Sequence, residues 1–280
     1  MRYLRACCTI VVLVMTLGAC GDAPTIGQTR QAITWGQEDT TGLYPNVGAF
    51  MATYPSHNAT FPVCSGTLVH PRVFLTAGHC TAAVAARQAA GLISSIYVSF
   101  DADPVAAGAT LLPVADMVTH PAYGHDMSDL KDVGLLVLAQ PASGITPATL
   151  PAAGYLDSLL AAGLLRQGSV GAPFTEVGYG GTLFWPPPQV VYFDKRQYAT
   201  SAFRNLHKAW LFLSQNAALG NGGTCYGDSG GPAFWTDQNG DDVLVAVTTT
   251  GDTACVATGV DYRVDTQSSL DFINGVINSL

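Results

Sequence analysis

The sequence predicts an all-β protein, built as a barrel or a sandwich. Short runs rich in β-branched and aromatic residues recur along the chain, and Gly, Pro, Asn and Asp separate them. With 30 glycines and 16 prolines, many turns are expected. The pattern lacks the amphipathic helices that βαβ units need between successive strands. The 280 residues are 48% hydrophobic and 11% charged, so a buried core is expected and disorder is excluded.

The N-terminus has the pattern of an export signal. Two arginines precede an apolar run over residues 6–17, which is shorter than the about 20 residues that span a bilayer. Leu17-Gly18-Ala19-Cys20 resembles a bacterial lipobox, which predicts a signal peptide over 1–19 and a lipid on Cys20. Cleavage near Ala19 without lipidation is the alternative. Residues 20–32 would form a tether or propeptide, and the product would be secreted, periplasmic or held at the cell surface.

Five predicted strands precede the middle of the chain, and two stretches have helical character. Residues 155–165 are rich in Ala and Leu, and Ser268-Ser269-Leu270-Asp271 resembles a capping box before an apolar stripe of helical spacing. Pro186-Pro187-Pro188 marks an extended loop, and residues 237–242 form a predicted hairpin turn. The predicted strands span 47–52, 64–69, 73–77, 96–100 and 133–138.

Charge and cysteine content limit the possible functions. The excess of 20 acidic over 12 basic residues argues against a nucleic-acid-binding protein. Beyond the leader the cysteines are Cys64, Cys80, Cys225 and Cys255, an even number that favours disulfides in an oxidising compartment. Close Cys-x-x-Cys pairs typical of structural zinc do not occur. Three pairings are possible on this argument.

Three sequence motifs contain residues that can perform nucleophilic catalysis together. GDSGGP (227–232) sets Ser229 among glycines, where the backbone can turn tightly and expose the hydroxyl and N–H groups. Serine alone is a poor nucleophile and needs a base and a group that orients the base. LTAGHC (75–80) supplies the imidazole of His79, and Asp132 supplies a carboxylate where an apolar strand begins.

Together the motifs resemble those of the trypsin/chymotrypsin-like serine peptidases, of a secreted bacterial type with a lipoprotein-like signal. His79, Asp132 and Ser229 match the family's catalytic triad residue by residue. The resemblance implies two antiparallel six-stranded Greek-key β-barrels with a C-terminal helix. The resemblance begins at ITWG (33–36), which departs from the family's mature start Ile-Val-Gly-Gly. It continues through LTAGHC, HPAY (120–123), DVGLLVL (132–138), VGYG (177–180), GDSGGP and GVDYRV (259–264). The implied boundaries are 33–280 for the peptidase domain, with barrels over 33–145 and 171–265, a connection over 146–170 and the helix over 266–280.

The resemblance also implies a mechanism and a disulfide pairing. His79 would act as general base and acid, Asp132 would stabilise its imidazolium, and the backbone N–H groups of Gly227 and Ser229 would form the oxyanion hole. The implied pairs are Cys64–Cys80 and Cys225–Cys255. The implied protein is a monomeric serine endopeptidase with protein or peptide substrates, and no metal or organic cofactor is needed.

In the family, the floor of the primary specificity pocket lies six residues before the nucleophile, where this chain has Gly223. Thr224, Thr249, Gly251 and Gly259 would line the rest of the pocket. A floor without an acid implies a preference for an apolar or aromatic side chain before the cleaved bond, the P1 side chain. If Asp261, which replaces an aromatic residue, projects inward, its charge would restore a preference for a basic side chain.

Activation in the family exposes an isoleucine-like N-terminus whose ammonium pairs with the aspartate before the nucleophile, here Ile33 and Asp228. Ala32 precedes Ile33, so a trypsin-type cut after Arg30 would leave the N-terminus two residues early. A different activating protease, or trimming, is therefore expected. A cut before Ile33 would also release the catalytic domain from a lipid on Cys20, which would be its only membrane attachment.

Three other functions match single features of the sequence. GDSGG also fits the nucleophile elbow of lipases, but that fold needs a histidine after the serine, and all six histidines precede Ser229. A subtilisin-like order would need an acid such as Asp39 before the histidine, in surroundings that do not resemble that family. A secreted binding protein with a decayed site is the third, because Thr250 replaces a usual tryptophan and Asp261 a usual aromatic residue.

Overall fold

The computed structural model describes residues 33–167, 173–184, 189–192 and 194–280. The predicted signal peptide, the tether with Cys20 and the Pro186-Pro187-Pro188 loop lie outside the described residues. Within the described ranges, no helix has both the length and the apolar character needed to cross a membrane. The elements are β1 (Gln37–Glu38), β2 (Val47–Tyr54), β3 (Ala59–His70), β4 (Val73–Thr76), α1 (Gly78–Ala89), β5 (Ser95–Ser99), β6 (Leu112–Thr119), β7 (Gly134–Leu138), α2 (Tyr155–Ala161), β8 (Pro173–Gly178), β9 (Gly181–Phe184), β10 (Gln189–Tyr192), β11 (Gln197–Leu206), β12 (Trp210–Ser214), a 3₁₀ turn (Ala217–Leu219), β13 (Pro232–Thr236), β14 (Asp242–Gly251), β15 (Thr258–Arg263) and α3 (Gln267–Ile277).

The first barrel contains six antiparallel strands that close in the order β2-β3-β4-β7-β6-β5. Every residue of β4 and β7 is buried, which explains their continuous apolar sequences. Phe50, Leu68, Phe74 and Leu136 fill the interior. This barrel brings together the segments that carry His79 and Asp132, because β4 pairs with β7 from Val73 to Thr76.

The second barrel contains the order β11-β12-β15-β14-β13-β8, and pairing of β8 with β11 closes it. The short strand β1 adds to the outer side of β11, while β9 and β10 form a separate hairpin. Two antiparallel six-stranded barrels with a C-terminal helix confirm the predicted fold class. The segment that carries Ser229 lies between β12 and β13 of this barrel.

The expectation of only two helices was wrong, because α1 follows directly on β4. Its Ala-rich sequence has high helix propensity, but it buries only four residues and so shows little amphipathic pattern. Helix α2 is shorter than predicted and is followed by Gly163 in the left-handed conformation. The capping box at Ser268 was also wrong: Thr266 caps α3, since its hydroxyl accepts a hydrogen bond from Ser269 N at 3.2 Å.

Candidate active site

Asp132 holds both the backbone and the ring of His79. The carboxylate is fully buried; Oδ1 accepts a hydrogen bond from His79 N at 2.7 Å, and Oδ2 lies 2.9 Å from His79 Nδ1. His79 lies in the first turn of α1, immediately after β4, and Asp132 precedes β7, the partner of β4. A carboxylate at Nδ1 favours the tautomer with a proton there, which leaves Nε2 free to accept one.

The loop that carries Ser229 has a backbone conformation that needs glycine. Gly227 has a φ of 97° and Gly230 a φ of 80°, and a Cβ on Gly230 would lie 2.1 Å from Thr76 Oγ1. Hydrogen bonds connect the loop to both barrels. Ser65 N of the first barrel donates to Ser229 O at 2.8 Å, and Gly230 N donates to Thr248 O of the second at 2.8 Å.

Ser65 supports this loop with its side chain as well. Its hydroxyl donates to Gly227 O at 3.2 Å and accepts a hydrogen bond from Tyr179 N at 2.9 Å. Ser65 therefore connects the serine loop to the end of β8, yet the sequence reasoning did not identify it. Its position next to Cys64 was the only available signal, and that signal does not distinguish it from an ordinary strand residue.

The structure contains two disulfides, Cys64–Cys80 and Cys225–Cys255, which is the pairing that the resemblance implied. The first lies at the junction of the candidate residues, because Cys80 Sγ is 3.6 Å from His79 Nε2 and 3.7 Å from Ser229 O. Cys64, His79 and Cys80 are close enough together to suggest a metal site. Both sulfurs are bonded to each other, however, so neither is a thiolate ligand.

A cavity of about 360 Å³ opens beside Ser229, in the position expected for the specificity pocket. The predicted residues Thr224, Thr249 and Gly251 are among those that line it. Gly223 and Gly259 do not line the cavity, because both are buried against the side chain of Gln215. The lining residues are Thr224, Cys225, Tyr226, Ser229, Thr248, Thr249, Thr250, Gly251, Asp252, Thr253 and Cys255.

Gln215 occupies the place where an open floor was predicted. A Cβ on Gly223 would lie 2.3 Å from Gln215 Cγ, and a Cβ on Gly259 would lie 3.0 Å from Gln215 Nε2. The amide donates to Thr224 O at 3.0 Å. Asp252 is the one charged residue among the described residues that line the cavity. Its carboxylate accepts hydrogen bonds from the backbone N–H groups of Val256, Ala257 and Thr258. The pocket wall is therefore rich in hydroxyl groups and carries little unpaired charge.

The two predicted activation residues are both buried. Asp228 accepts hydrogen bonds from Gly180 N at 2.8 Å and Cys225 N at 2.9 Å. Burial raises the pKa of Asp228 to about 7, although these two bonds act in the opposite direction. The residue after Ile33, Thr34, forms a two-way backbone bridge with Gly223, with N···O distances of 2.9 and 3.0 Å.

Two further carboxyl groups are buried inside the second barrel, Glu176 on β8 and Asp261 on β15. Burial raises the pKa of Glu176 to about 7, and burial together with the neighbouring Glu176 raises the pKa of Asp261 well above its usual value. Ser201 donates a hydrogen bond to Glu176. The sequence reasoning missed Glu176; an acid at a core-facing strand position was the signal available.

Comparison with known proteins decides the family. The family model for trypsin matches residues 33–273, which includes both barrels and most of α3. The chain belongs to the trypsin family. It is therefore a serine endopeptidase, and proteins or peptides are its substrates.

The chain is also similar to three named proteins. Serine protease 28 of Mus musculus is 26% identical over 228 residues, covering 74% of this chain and 76% of that protein. A tryptase of Mus musculus is 26% identical over 244 residues, with coverage of 75% and 76%. Ovochymase of Halocynthia roretzi is 32% identical over 92 residues, which are 31% of this chain and 6% of ovochymase.

A second cavity, of about 400 Å³, borders His79. Thr250, which stands where the trypsin family usually has a tryptophan, is one of its lining residues. Trp210 and Phe212 of β12 supply aromatic rings to the same cavity. The cavity shares Thr249 and Thr250 with the pocket beside Ser229, so the two cavities are adjacent. The lining residues are His79, Met127, Leu130, Trp210, Phe212, Thr249, Thr250 and Val260.

Proposed function

We propose that this endopeptidase cleaves peptide bonds through an acyl-enzyme on Ser229. His79 takes the serine proton as general base and returns it to the leaving amine, and Asp132 stabilises the transient imidazolium. The backbone N–H groups of Gly227 and Ser229 stabilise the oxyanion. The observation that carries this proposal is the buried Asp132 carboxylate, which fixes His79 at two atoms, 2.7 and 2.9 Å away.

The preferred P1 side chain in this proposal is apolar or aromatic. Gln215 lies against Gly223 at the predicted floor position and supplies no acid, and the uncharged residues Thr224, Thr248, Thr249 and Gly251 are among those that line the cavity. The adjoining cavity beside His79 would take apolar side chains of neighbouring substrate residues. Cleavage of a peptide library measures this preference, and a strong preference for Lys or Arg would overturn it.

The enzyme is proposed to be an exported monomer made as a precursor, of a bacterial lipoprotein type. The signal pattern and lipobox support export and lipidation of Cys20, and the two disulfides suit an oxidising compartment. Burial of Ile33 and Asp228 supports activation by a separate protease that cuts before Ile33. The new ammonium would then pair with the Asp228 carboxylate.

Labelling with a fluorophosphonate probe tests the catalytic proposal, because the probe reacts only with an activated serine. The processed protein is expected to be labelled, S229A to be unlabelled, and S143A, which changes an exposed serine, to be labelled normally. D132N should label much more slowly. If the processed protein stays unlabelled while a control enzyme reacts, the decayed binding protein becomes the better interpretation.

A further inference from the structure

Four residues in the interior of the second barrel present polar atoms that lack any hydrogen-bond partner among the described residues. These atoms are Glu176 Oε1, Gln215 Oε1, Thr248 Oγ1 and both carboxylate oxygens of Asp261. All four residues are at least nine-tenths buried. Buried polar groups are nearly always paired, so five oxygens without a partner in one region need an explanation.

The strand register brings these side chains together. Asp261 of β15 stands opposite Thr248 of β14, so the two side chains share one face of the sheet. Gly259, two residues earlier on β15, lies on that same face. A Cβ on Gly259 would lie 3.0 Å from Gln215 Nε2 and 3.4 Å from Glu176 Oε1. The amide nitrogen of Gln215 and Oε1 of Glu176 therefore approach the face that carries Asp261 and Thr248.

The charge of this cluster is unbalanced. The two buried arginines of the described chain are used elsewhere: Arg196 pairs with Asp39, and Arg263 pairs with Asp157 and Asp265. An ionised carboxylate that is buried without a counter-charge is very unfavourable. Four of the five atoms are carboxylate or amide oxygens that accept hydrogen bonds and cannot donate when the acids are ionised. With both acids ionised, the partner that would satisfy these oxygens and balance their charge is a cation.

We propose that Glu176, Gln215, Thr248 and Asp261 bind a calcium ion behind the specificity pocket. Carboxylate, amide and hydroxyl oxygens are hard ligands, and Ca²⁺ takes six to eight of them in flexible geometry. Mg²⁺ fits less well because it demands a near-ideal octahedron and keeps its waters. A divalent ion would balance the two carboxylates. Thr248 also lines the pocket, so the ion would hold one pocket wall in place.

The site departs from the sequence expectation that no metal is needed. Its ligands come from four separate parts of the second barrel, so no local spacing in the sequence indicates them. The proposal does not depend on the catalytic mechanism, and its test needs no peptidase activity. It is consistent with an uncharged P1 side chain, because the ion would neutralise the acids behind the pocket.

Calcium titration of the full chain tests the site. The S229A background excludes autolysis, and the protein is treated with EDTA and then titrated with CaCl₂ by calorimetry. One ion per chain is expected to bind, and CaCl₂ should raise the temperature of thermal unfolding. E176Q and D261N, which keep the side-chain shape, should each weaken calcium binding at least about tenfold. If either variant does not fold, T248V tests the site with a milder change, because it removes only the hydroxyl oxygen of Thr248.

A matched control uses the acidic hairpin between β13 and β14, where Asp237 is half-buried and Asp241 is exposed. The double variant D237N/D241N should bind calcium as the parent does. The assignment is overturned if the hairpin variant loses binding, if E176Q and D261N both retain it, or if NaCl or MgCl₂ binds equally well. The assignment is also overturned if the S229A parent protein binds no calcium and its stability depends on pH through Asp261. Protons shared between the buried acids would then replace the ion.

Discussion

At the scale of single residues, Ser65 connects the candidate nucleophile to the rest of the site. Its backbone N–H holds Ser229 O, and its hydroxyl holds Gly227 O and Tyr179 N. Gly227 N is a proposed oxyanion donor, and its direction depends on the peptide groups around it. Ser65 is therefore a positioning residue that acts through the loop and does not touch the substrate.

We expect S65A to lower kcat about fivefold while KM changes little, because about 1 kcal/mol of loop stabilisation is lost. The backbone bond to Ser229 O survives the change, so the chain should still fold. Steady-state kinetics on a peptide substrate measure the effect, with S143A as the control at an exposed serine. Unchanged kcat in S65A would show that the loop holds its geometry without this hydroxyl.

Asp228 predicts a pH dependence of stability in the unprocessed chain, where Ile33 is still bonded to Ala32. Its folded pKa of about 7 lies above the usual value of 3.8, so the folded state favours the protonated acid. The cost of ionisation is absent below about pH 4, grows up to pH 7 and is complete above it. Because D228N also replaces one of the two accepting oxygens with an NH2 group, the expected effect is in the pH dependence: the stability of unprocessed D228N relative to the parent should rise by a few kcal/mol between pH 4 and pH 8.

Urea unfolding of both unprocessed proteins at the two pH values measures this difference. Chains processed before Ile33 provide the comparison, because a free ammonium beside Asp228 would favour the ionised acid and reverse the advantage of D228N. An equal effect of D228N at pH 4 and pH 8 would contradict the raised pKa.

At the scale of elements, a buried ion pair attaches the N-terminal segment to the barrels. Strand β1 contributes only two residue pairs with β11, but the next residue, Asp39, pairs with Arg196 at 2.8 Å. Arg196 also donates to Phe100 O of the first barrel at 2.8 Å and to Tyr179 Oη at 3.1 Å. Hydrogen bonds from Leu43 N and Arg196 lower the pKa of Asp39 despite its burial.

R196M should destabilise the fold by about 3–5 kcal/mol, because it leaves the Asp39 carboxylate buried without its partner. The adjacent variant K195M is a matched control, since the pair of Lys195 with Glu38 is exposed and is worth at most about 1 kcal/mol. Chemical unfolding measures both. Adding D39N to R196M should recover part of the loss, and similar effects of R196M and K195M would contradict the argument.

The elements also show how far the sequence predicts the fold. Continuous or alternating apolar runs located five of the six strands of the first barrel, because a strand buried on one or both faces leaves that pattern. Strand β6 was missed, and none of its residues is fully buried. Helix α1 escaped detection because it lies on the barrel with few buried side chains. The N-cap of α3 was placed two residues late, because Thr266 and Ser268 are both able to cap and only the structure distinguishes them.

At the scale of the whole molecule, motif resemblance identified the residues of the candidate site that stand in local signatures. His79, Asp132 and Ser229 each occur in such a signature, as do the cysteines beside them. The layer behind the pocket has no signature. Gln215 replaces the predicted open floor, and Glu176 meets Asp261 only after β8 closes the second barrel. Such residues are adjacent through topology, which a single sequence does not display.

Processing of the precursor gives the last prediction, and it concerns the whole chain. No cysteine lies between Cys20 and Cys64, so no disulfide would retain a lipidated N-terminus after a cut before Ile33. We expect the active enzyme to be soluble, to begin at Ile33 and to lack the lipid. N-terminal sequencing and mass spectrometry of membrane and soluble fractions measure this.

Two variants separate lipidation from activation. C20S should abolish membrane association of the precursor but leave the activity of the processed enzyme unchanged, because Cys20 is removed by the cut. D228N should leave membrane association unchanged but lower activity after processing, because the Ile33 ammonium loses its ionised partner. Fully active enzyme that retains an acylated Cys20 would contradict the coupling, since its Asp228 would then have to be stabilised without a free Ile33 amine.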